Sequence, residues 1–316
     1  MINGYAPVLI PTLNRFDHFE RCVASLLACE GSEQTDLFVA LDYPSKESHW
    51  EGFTIIKELL KDITGFKSLT VINRAVNFGA HANIHEAYDF IFKNYDRVIL
   101  SEDDNVFSND FLIFINKSLQ QYEHDSTVFS VSGYNYPVEM PKSYTDEVYF
   151  WRGYSAWGVG LWRDKFLKMD CSEEAIENSV TNFFKDYKKV WEFNKIANNY
   201  VPALVTMLEK KAIHGDTYIC LYQFLNNMTS VFPVVSRVRN CGHDGSGINC
   251  GVMIDDIYST QEIYQGKSTY EIPKNAKQDE EINTVLRNHF SIKMKSQFKF
   301  FCKLFLINKG FHSQKV

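Results

Sequence analysis

The 316-residue sequence has no C-x-x-C pair among its seven cysteines, no internal repeat and no excess of basic residues. It also lacks any run of about 18 apolar residues, the length a membrane-crossing helix needs. Cys22, Cys29, Cys171, Cys220, Cys241, Cys250 and Cys302 are odd in number and unpaired in spacing. That excludes a zinc ribbon and a disulfide framework, and predicts a reduced, cytosolic chain. The N-terminal Met-Ile-Asn-Gly-Tyr-Ala-Pro has no basic n-region, so no signal peptide is expected. Lys+Arg 33 against Asp+Glu 39 leaves a net charge of −6, which speaks against nucleic acid as a partner. Only 8 Pro and 16 Gly beside 45% hydrophobic residues exclude a disordered or collagen-like chain.

What is present is an alternation of short β-type runs and helical patterns. Val8–Ile10, Leu37–Leu41, Leu69–Ile72 and Val98–Leu100 each precede an amphipathic stretch, at Phe16–Leu27, Phe53–Ile63, Ile84–Phe92 and Phe111–Tyr122. Ser108-Asn109-Asp110 is available to cap the last of these, and Val128–Val131 closes the series. Near-continuous apolar strands separated by helices predict an α/β fold with a parallel sheet covered on both faces. Ligands in such sheets bind outside the carboxyl ends of the strands. After about residue 133 the pattern changes: 134–165 is rich in Tyr, Trp and Gly, 172–229 reads as helical, and 230–252 is Gly-rich.

The strand ends carry the chemistry. Leu100 runs into Ser101-Glu102-Asp103-Asp104, and adjacent carboxylates at a buried strand tip oppose folding unless a cation meets them. Mg²⁺ or Mn²⁺, held by carboxylates and by substrate phosphates, answers that need; a solvated acidic turn is the alternative. The first strand delivers Thr12 and Arg15, whose guanidinium fork suits a diphosphate. The second delivers Asp42, placed to accept from a nucleobase N–H or to serve as a turn residue, and the third leads to Asn77.

Pro11-Thr12-Leu13-Asn14-Arg15, the lone Asp42, Glu102-Asp103-Asp104 and the aromatic stretch Tyr149–Gly158 occur in a set order. In that order they resemble the inverting, metal-dependent glycosyltransferases of the GT-A fold. The likeness is to glycosyltransferase family 2 and the N-acetylglucosaminyltransferase I-like enzymes of bacteria. The resemblance implies one Rossmann-like GT-A domain over 1–285, a mostly parallel sheet flanked by helices, with a nucleotide-binding half at 1–133 and an acceptor half at 134–285. It implies Asp104 as metal ligand, Asp103 on the ribose, Glu102 in support, Asp42 on the base and Arg15 on the diphosphate, with Thr12 and Asn77 at the same rim. Asp216, introducing an apolar-periodic helix, would be the catalytic base; its structural alternative is an N-cap. Ser236–Gly247 reads as a mobile lid over the diphosphate, with Arg237 on the phosphates and His243 as a further metal ligand or phosphate contact; a Gly-rich surface turn with an idle His243 is the alternative. Among the aromatic residues Trp157 is the candidate for the sugar face, while Trp151, Tyr154 and Trp162 suit a core. The implied activity is transfer from a nucleotide sugar, expected to be a UDP-sugar, to a glycan or lipid-linked acceptor in surface polysaccharide synthesis. A sugar-nucleotide pyrophosphorylase, which needs glycines after the first strand, and a non-catalytic glycan-binding protein are the competing readings. The tail at 286–316, basic, aromatic and without acids, predicts an in-plane helix on an anionic inner membrane face, or a helix docked on the body.

Overall fold

The computed structural model describes residues 4–308 apart from 212, 248–250, 270 and 276. Cys250 and the tail lysines Lys309 and Lys315 therefore lie outside the described residues. The first half alternates as expected: β1 Val8–Thr12, α1 Phe16–Leu27, β2 Asp36–Leu41, α2 Trp50–Leu59, β3 Ser68–Asn73, α3 Ala80–Ile91 and β4 Arg97–Leu100. A short β5 Asn105–Phe107, α4 Phe111–Gln121 and β6 Val128–Ser132 follow. The second half holds β7 Val148–Trp151, β8 Val159–Trp162, α5 Arg163–Phe166, α6 Glu173–Phe183, α7 Tyr187–Asn194, α8 Tyr200–Lys210 and α9 Gly215–Leu225. It ends with β9 Thr229–Pro233, β10 Val238–Asn240, α10 Glu280–His289 and α11 Met294–Asn308.

Among the described residues eight strands form one sheet in the order β3-β2-β1-β4-β8-β6-β9-β7. The pairs β3·β2, β2·β1, β1·β4 and β6·β9 are parallel. The sheet is mostly parallel and flanked by helices, as expected, and becomes mixed where the aromatic segment contributes β7 and β8, which run antiparallel to their neighbours. Side chains of successive strand residues point to opposite faces, and this divides the core in two. Leu9, Phe38, Ala40, Val98 and Leu100 pack with α3 and the later helices, while Val8, Ile10, Val39 and Ile99 pack with α1, α2 and α4. Both faces are thereby covered, so the free ground lies at the strand ends. Register brings those ends together: Leu9 pairs with Leu100, the Ser101 N–H donates to the Leu9 carbonyl, and the Asp42 N–H donates to the Thr12 carbonyl.

Three expectations change. The cap foreseen for α4 does not form: Asp110 occupies that position without a side-chain cap and accepts instead from Ser108 Oγ at 2.6 Å and Arg237 Nε at 3.4 Å. The boundary drawn at 285/286 falls inside α10, whose Ile282 and Leu286 are both buried in the core. Part of the tail is docked: Leu304 is buried, Phe300 and Phe301 pack against the core, and Lys303 pairs with Glu209 of α8 at 2.7 Å.

Candidate active site

The loop after β1 is pressed into place by α2. A Cβ on Gly52 would come within 1.9 Å of the Asn14 carbonyl, so only glycine lets this helix lie against the residue preceding Arg15. From there the Arg15 guanidinium reaches across the β1·β4 pair, bonding Asp103 through Nη2 and Asp104 through Nη1 at 2.8 Å. Thr12 Oγ1 donates to the other Asp103 oxygen at 2.8 Å, and Asn240 Nδ2 donates to the other Asp104 oxygen at 2.6 Å. Both carboxylates are buried, and each of their oxygens has a partner within the chain. The cation expected at this strand tip is thus supplied, in part, by Arg15.

One guanidinium does not balance the site. Burial pushes Glu102 up to about 8, and the charges of Asp104, Asp216 and Asp103 push in the same direction against Arg15. Burial also raises Asp103, opposed by Arg15. Asp216, more than a hundred positions further along the sequence, therefore shares the electrostatic environment of the triplet. It sits in the first turn of α9, behind His214 in the cap position, so the simple N-cap alternative does not hold. The residue is exposed, yet the protein around its carboxylate displaces enough water to raise it to about 6, against a bond from the Ala156 N–H. The next residue, Trp157, donates its Nε1–H to Glu102 at 3.1 Å. Its half-buried ring meets Tyr134, His243 and Tyr258 edge-on, whereas Trp151, Tyr154 and Trp162 are buried in the core.

Asp42 is placed at the expected rim but is fully engaged. It accepts from the N–H groups of Tyr43, Phe78 and Gly79 at 2.8–2.9 Å and from Asn77 Nδ2 at 3.2 Å. Those four donors match the acceptor sites of a carboxylate. Asp42 and Asn77 thus hold the 77–79 turn in this conformation, with no acceptor left for a base.

The lid expectation changes most. Ser236–Asn240 is not loose: β10 pairs antiparallel with β5, matching Val238 to Phe107 and Asn240 to Asn105. Arg237 is wholly buried between the rings of Phe114 and Tyr264, with Asp110 and Glu147 as ion partners, and is not brought to the carboxylates. Its charge is spent on the core because the chain just before β10 turns it inward. From Cys241 the segment turns over the triplet, the Cys241 N–H donating to the Asp104 carbonyl. A Cβ on Gly242 would lie 2.0 Å from Asp104 Oδ2 and 3.4 Å from Arg15 Nη1. Gly242→Ala should therefore displace the Asp104 carboxylate at an overpacking cost of about 1–3 kcal/mol in stability, read as a lowered melting temperature. A variant with unchanged melting would refute that.

Two contributors escaped the sequence reading. Asn240 gave no signal because its role depends on β10 meeting β5. His18 of α1 is also buried. Arg21 donates to its Nδ1 at 2.8 Å, which leaves Nε2 to carry the proton toward Asp244 Oδ2 at 2.8 Å. Burial opposes ionisation of Asp244, but bonds from Ser246 and His18 hold it well below the usual carboxylate range. This ties the Gly-rich segment to α1.

No group of three or more His, Cys, Asp or Glu side chains is gathered around a metal-sized space among the described residues. His243 lies 3.7 Å from Asp256 and stacks on Tyr258, so it forms no cage with the triplet. The donor set instead fits a hard cation that takes one or two carboxylates and draws its remaining ligands from substrate phosphates. Asp104, beside the unbalanced Glu102, is the residue that would hold it.

No protein-family model and no curated protein matches the sequence. Among solved structures it is similar to the mannosyltransferase PcManGT from Pyrobaculum calidifontis in complex with GDP-Man and Mn²⁺. That likeness is 16% identity over 51% of this chain and 45% of that chain, with a TM-score of 0.34. It is also similar to S. aureus TarS, at 13% identity over 46% of this chain and 24% of that chain, TM-score 0.32. For TarS 1-349 the values are 16%, 52% and 48%, with a TM-score of 0.34. The matched part spans less than half of each of those chains, and at this level the site's own geometry has to carry the functional reading.

Proposed function

We propose that the protein is an inverting glycosyltransferase that moves a sugar from a nucleotide-sugar donor to an acceptor hydroxyl. The observation that carries this reading is the meeting of Arg15, Asp103 and Asp104 at the β1·β4 strand ends, with Asp216 near enough for its charge to bear on Glu102. In this scheme Arg15 grips the diphosphate through its fork. Thr12 and Asp103 hold the ribose, and the turn held by Asp42 and Asn77 shapes the base end. Trp157 and Glu102 line the sugar. Mn²⁺ or Mg²⁺, bound by Asp104 together with the phosphates, would neutralise the charge that develops on the leaving diphosphate. The acceptor oxygen attacks the anomeric carbon, the bond to the diphosphate oxygen breaks, and the acceptor proton passes to Asp216. A single displacement of this kind inverts the anomeric centre. The donor is a UDP-sugar in this reading. Calorimetry with UDP and GDP, each with Mn²⁺, tests it: saturable, metal-dependent binding is expected, and no heat with either nucleotide overturns the proposal.

The acceptor in this scheme is a glycan or a lipid-linked oligosaccharide, and the outer face of α11 suits the latter. No described helix is long and apolar enough to cross a membrane. Yet Met294, Phe298 and Phe305 are 84%, 73% and 54% exposed, beside exposed Lys295 and Lys299. Such a face inserts apolar rings among acyl chains while its lysines meet anionic headgroups. The protein should sediment with phosphatidylglycerol vesicles and much less with phosphatidylcholine ones. Phe298→Glu with Phe305→Glu should abolish that preference; equal sedimentation of the double variant would exclude the helix as the anchor.

A further inference from the structure

We infer that Arg15 is a resident counter-ion that shuts Asp104 to free divalent cations and releases it only to a diphosphate, so that metal and nucleotide bind conditionally on each other. This rests on the glycosyl-transfer reading above and adds to it how the site is kept closed.

Three observations converge. First, each oxygen of Asp103 and Asp104 already has a donor: Arg15 and Thr12 on one, Arg15 and Asn240 on the other. Each oxygen keeps a second acceptor site, but a cation that takes the one on Asp104 Oδ2 must stand beside the Arg15 guanidinium, 2.8 Å from that oxygen. Second, the partners are unequal. Thr12 and Asn240 are buried on β1 and β10, whereas the Arg15 side chain is 19% exposed and stands in the connection between β1 and α1. Arg15 is the one that can leave. Third, Gly242 backs onto Asp104 Oδ2 so closely that not even a Cβ fits, which leaves the side occupied by Arg15 as the approach.

The exchange follows from charge. A dication and a guanidinium cannot share one carboxylate oxygen without strong mutual repulsion. A diphosphate removes the conflict, because it offers the guanidinium fork a better bidentate partner and gives the cation further oxygens. Whatever factor the nucleotide contributes to metal affinity, the metal must return to nucleotide affinity.

Equilibrium dialysis of Mn²⁺, with and without UDP and GDP, provides the test on the intact chain. The wild type should retain little Mn²⁺ alone and at least about tenfold more with the diphosphate, within the usual range of such coupling. Arg15→Gln should retain Mn²⁺ without any nucleotide, and Arg15→Lys, which keeps the cation, should not. Mn²⁺ binding by the wild type that is equally tight with and without nucleotide overturns the inference, a result that needs no variant to fold. So does an Arg15→Gln protein that, like the wild type, takes Mn²⁺ only with nucleotide; the glycosyl-transfer reading survives both outcomes. If no protein takes Mn²⁺ or nucleotide under any condition, that reading fails and this inference falls with it.

Discussion

Replacing Asp216 by Asn is expected to lower kcat by about 10²–10⁴-fold, the span over which positioned general bases act, while leaving binding of the donor nucleotide intact. The amide keeps the shape and the bond from the Ala156 N–H but cannot take the acceptor proton. A pH profile separates this role from a structural one. Burial raises Asp216 to about 6, so wild-type kcat/KM should climb with pH through about 6 and level off above it. The limb should vanish in the Asn variant. The stability effect has the opposite sign. A carboxyl whose folded pKa lies above its unfolded value of about 3.9 binds its proton more tightly in the native state. Its contribution is complete below about 4 and is lost as pH rises through about 6. Asp216→Asn should therefore melt no lower than the wild type at pH 7 and above, even as transfer disappears. A fully active variant, or one that loses donor affinity along with turnover, would remove Asp216 from the role of base.

Asp104→Ala is the second large expected effect: a fall of at least roughly 100-fold in Mn²⁺-dependent affinity for the donor nucleotide, since losing even an outer partner of a metal ligand costs about 10–100-fold. The substitution deletes the oxygens that accept from Arg15 and Asn240, leaving Arg15 to Asp103 and Asn240 to Asn105 Oδ1, which it already reaches at 3.1 Å. Since both donors keep a partner, the variant should fold, and circular dichroism checks that it does. Calorimetry with UDP and Mn²⁺ then measures the loss, and unchanged affinity in a folded variant would sink the metal role. Binding that weakens equally with and without Mn²⁺ would assign Asp104 to the architecture of the cleft instead.

Local pattern was legible where one periodicity dominated. The apolar runs before Leu41 and Leu100 became β2 and β4, and the 3.6-residue spacing from Phe111 became α4, because burial on a defined face leaves its period in the chain. The helix foreseen from Phe53 starts earlier, at Trp50, whose edge-on contacts with Tyr43 and Phe53 favour an earlier start. In the aromatic stretch the signal failed, since residues buried on every side show no alternation that distinguishes parallel from antiparallel strands. The polar residues were harder to assign. Arg237 and Arg15 are equivalent as sequence, each a basic residue near glycines or a strand end, but one is sealed between rings and the other lies across two carboxylates.

From its order of residues alone this protein is committed to an α/β core with acids and arginine at strand tips, because hydrophobic spacing and charge are properties of near neighbours. Only the folded chain decided that Asp216 shares the electrostatic environment of Glu102, that Asn240 steadies Asp104, that Asp42 is taken up by the 77–79 turn, and that Arg15 lies across Asp103 and Asp104. Each of those pairings joins segments far apart along the backbone. Which donor meets which acceptor there is set by strand register and by the close approach of glycines, quantities that no local run of sequence contains.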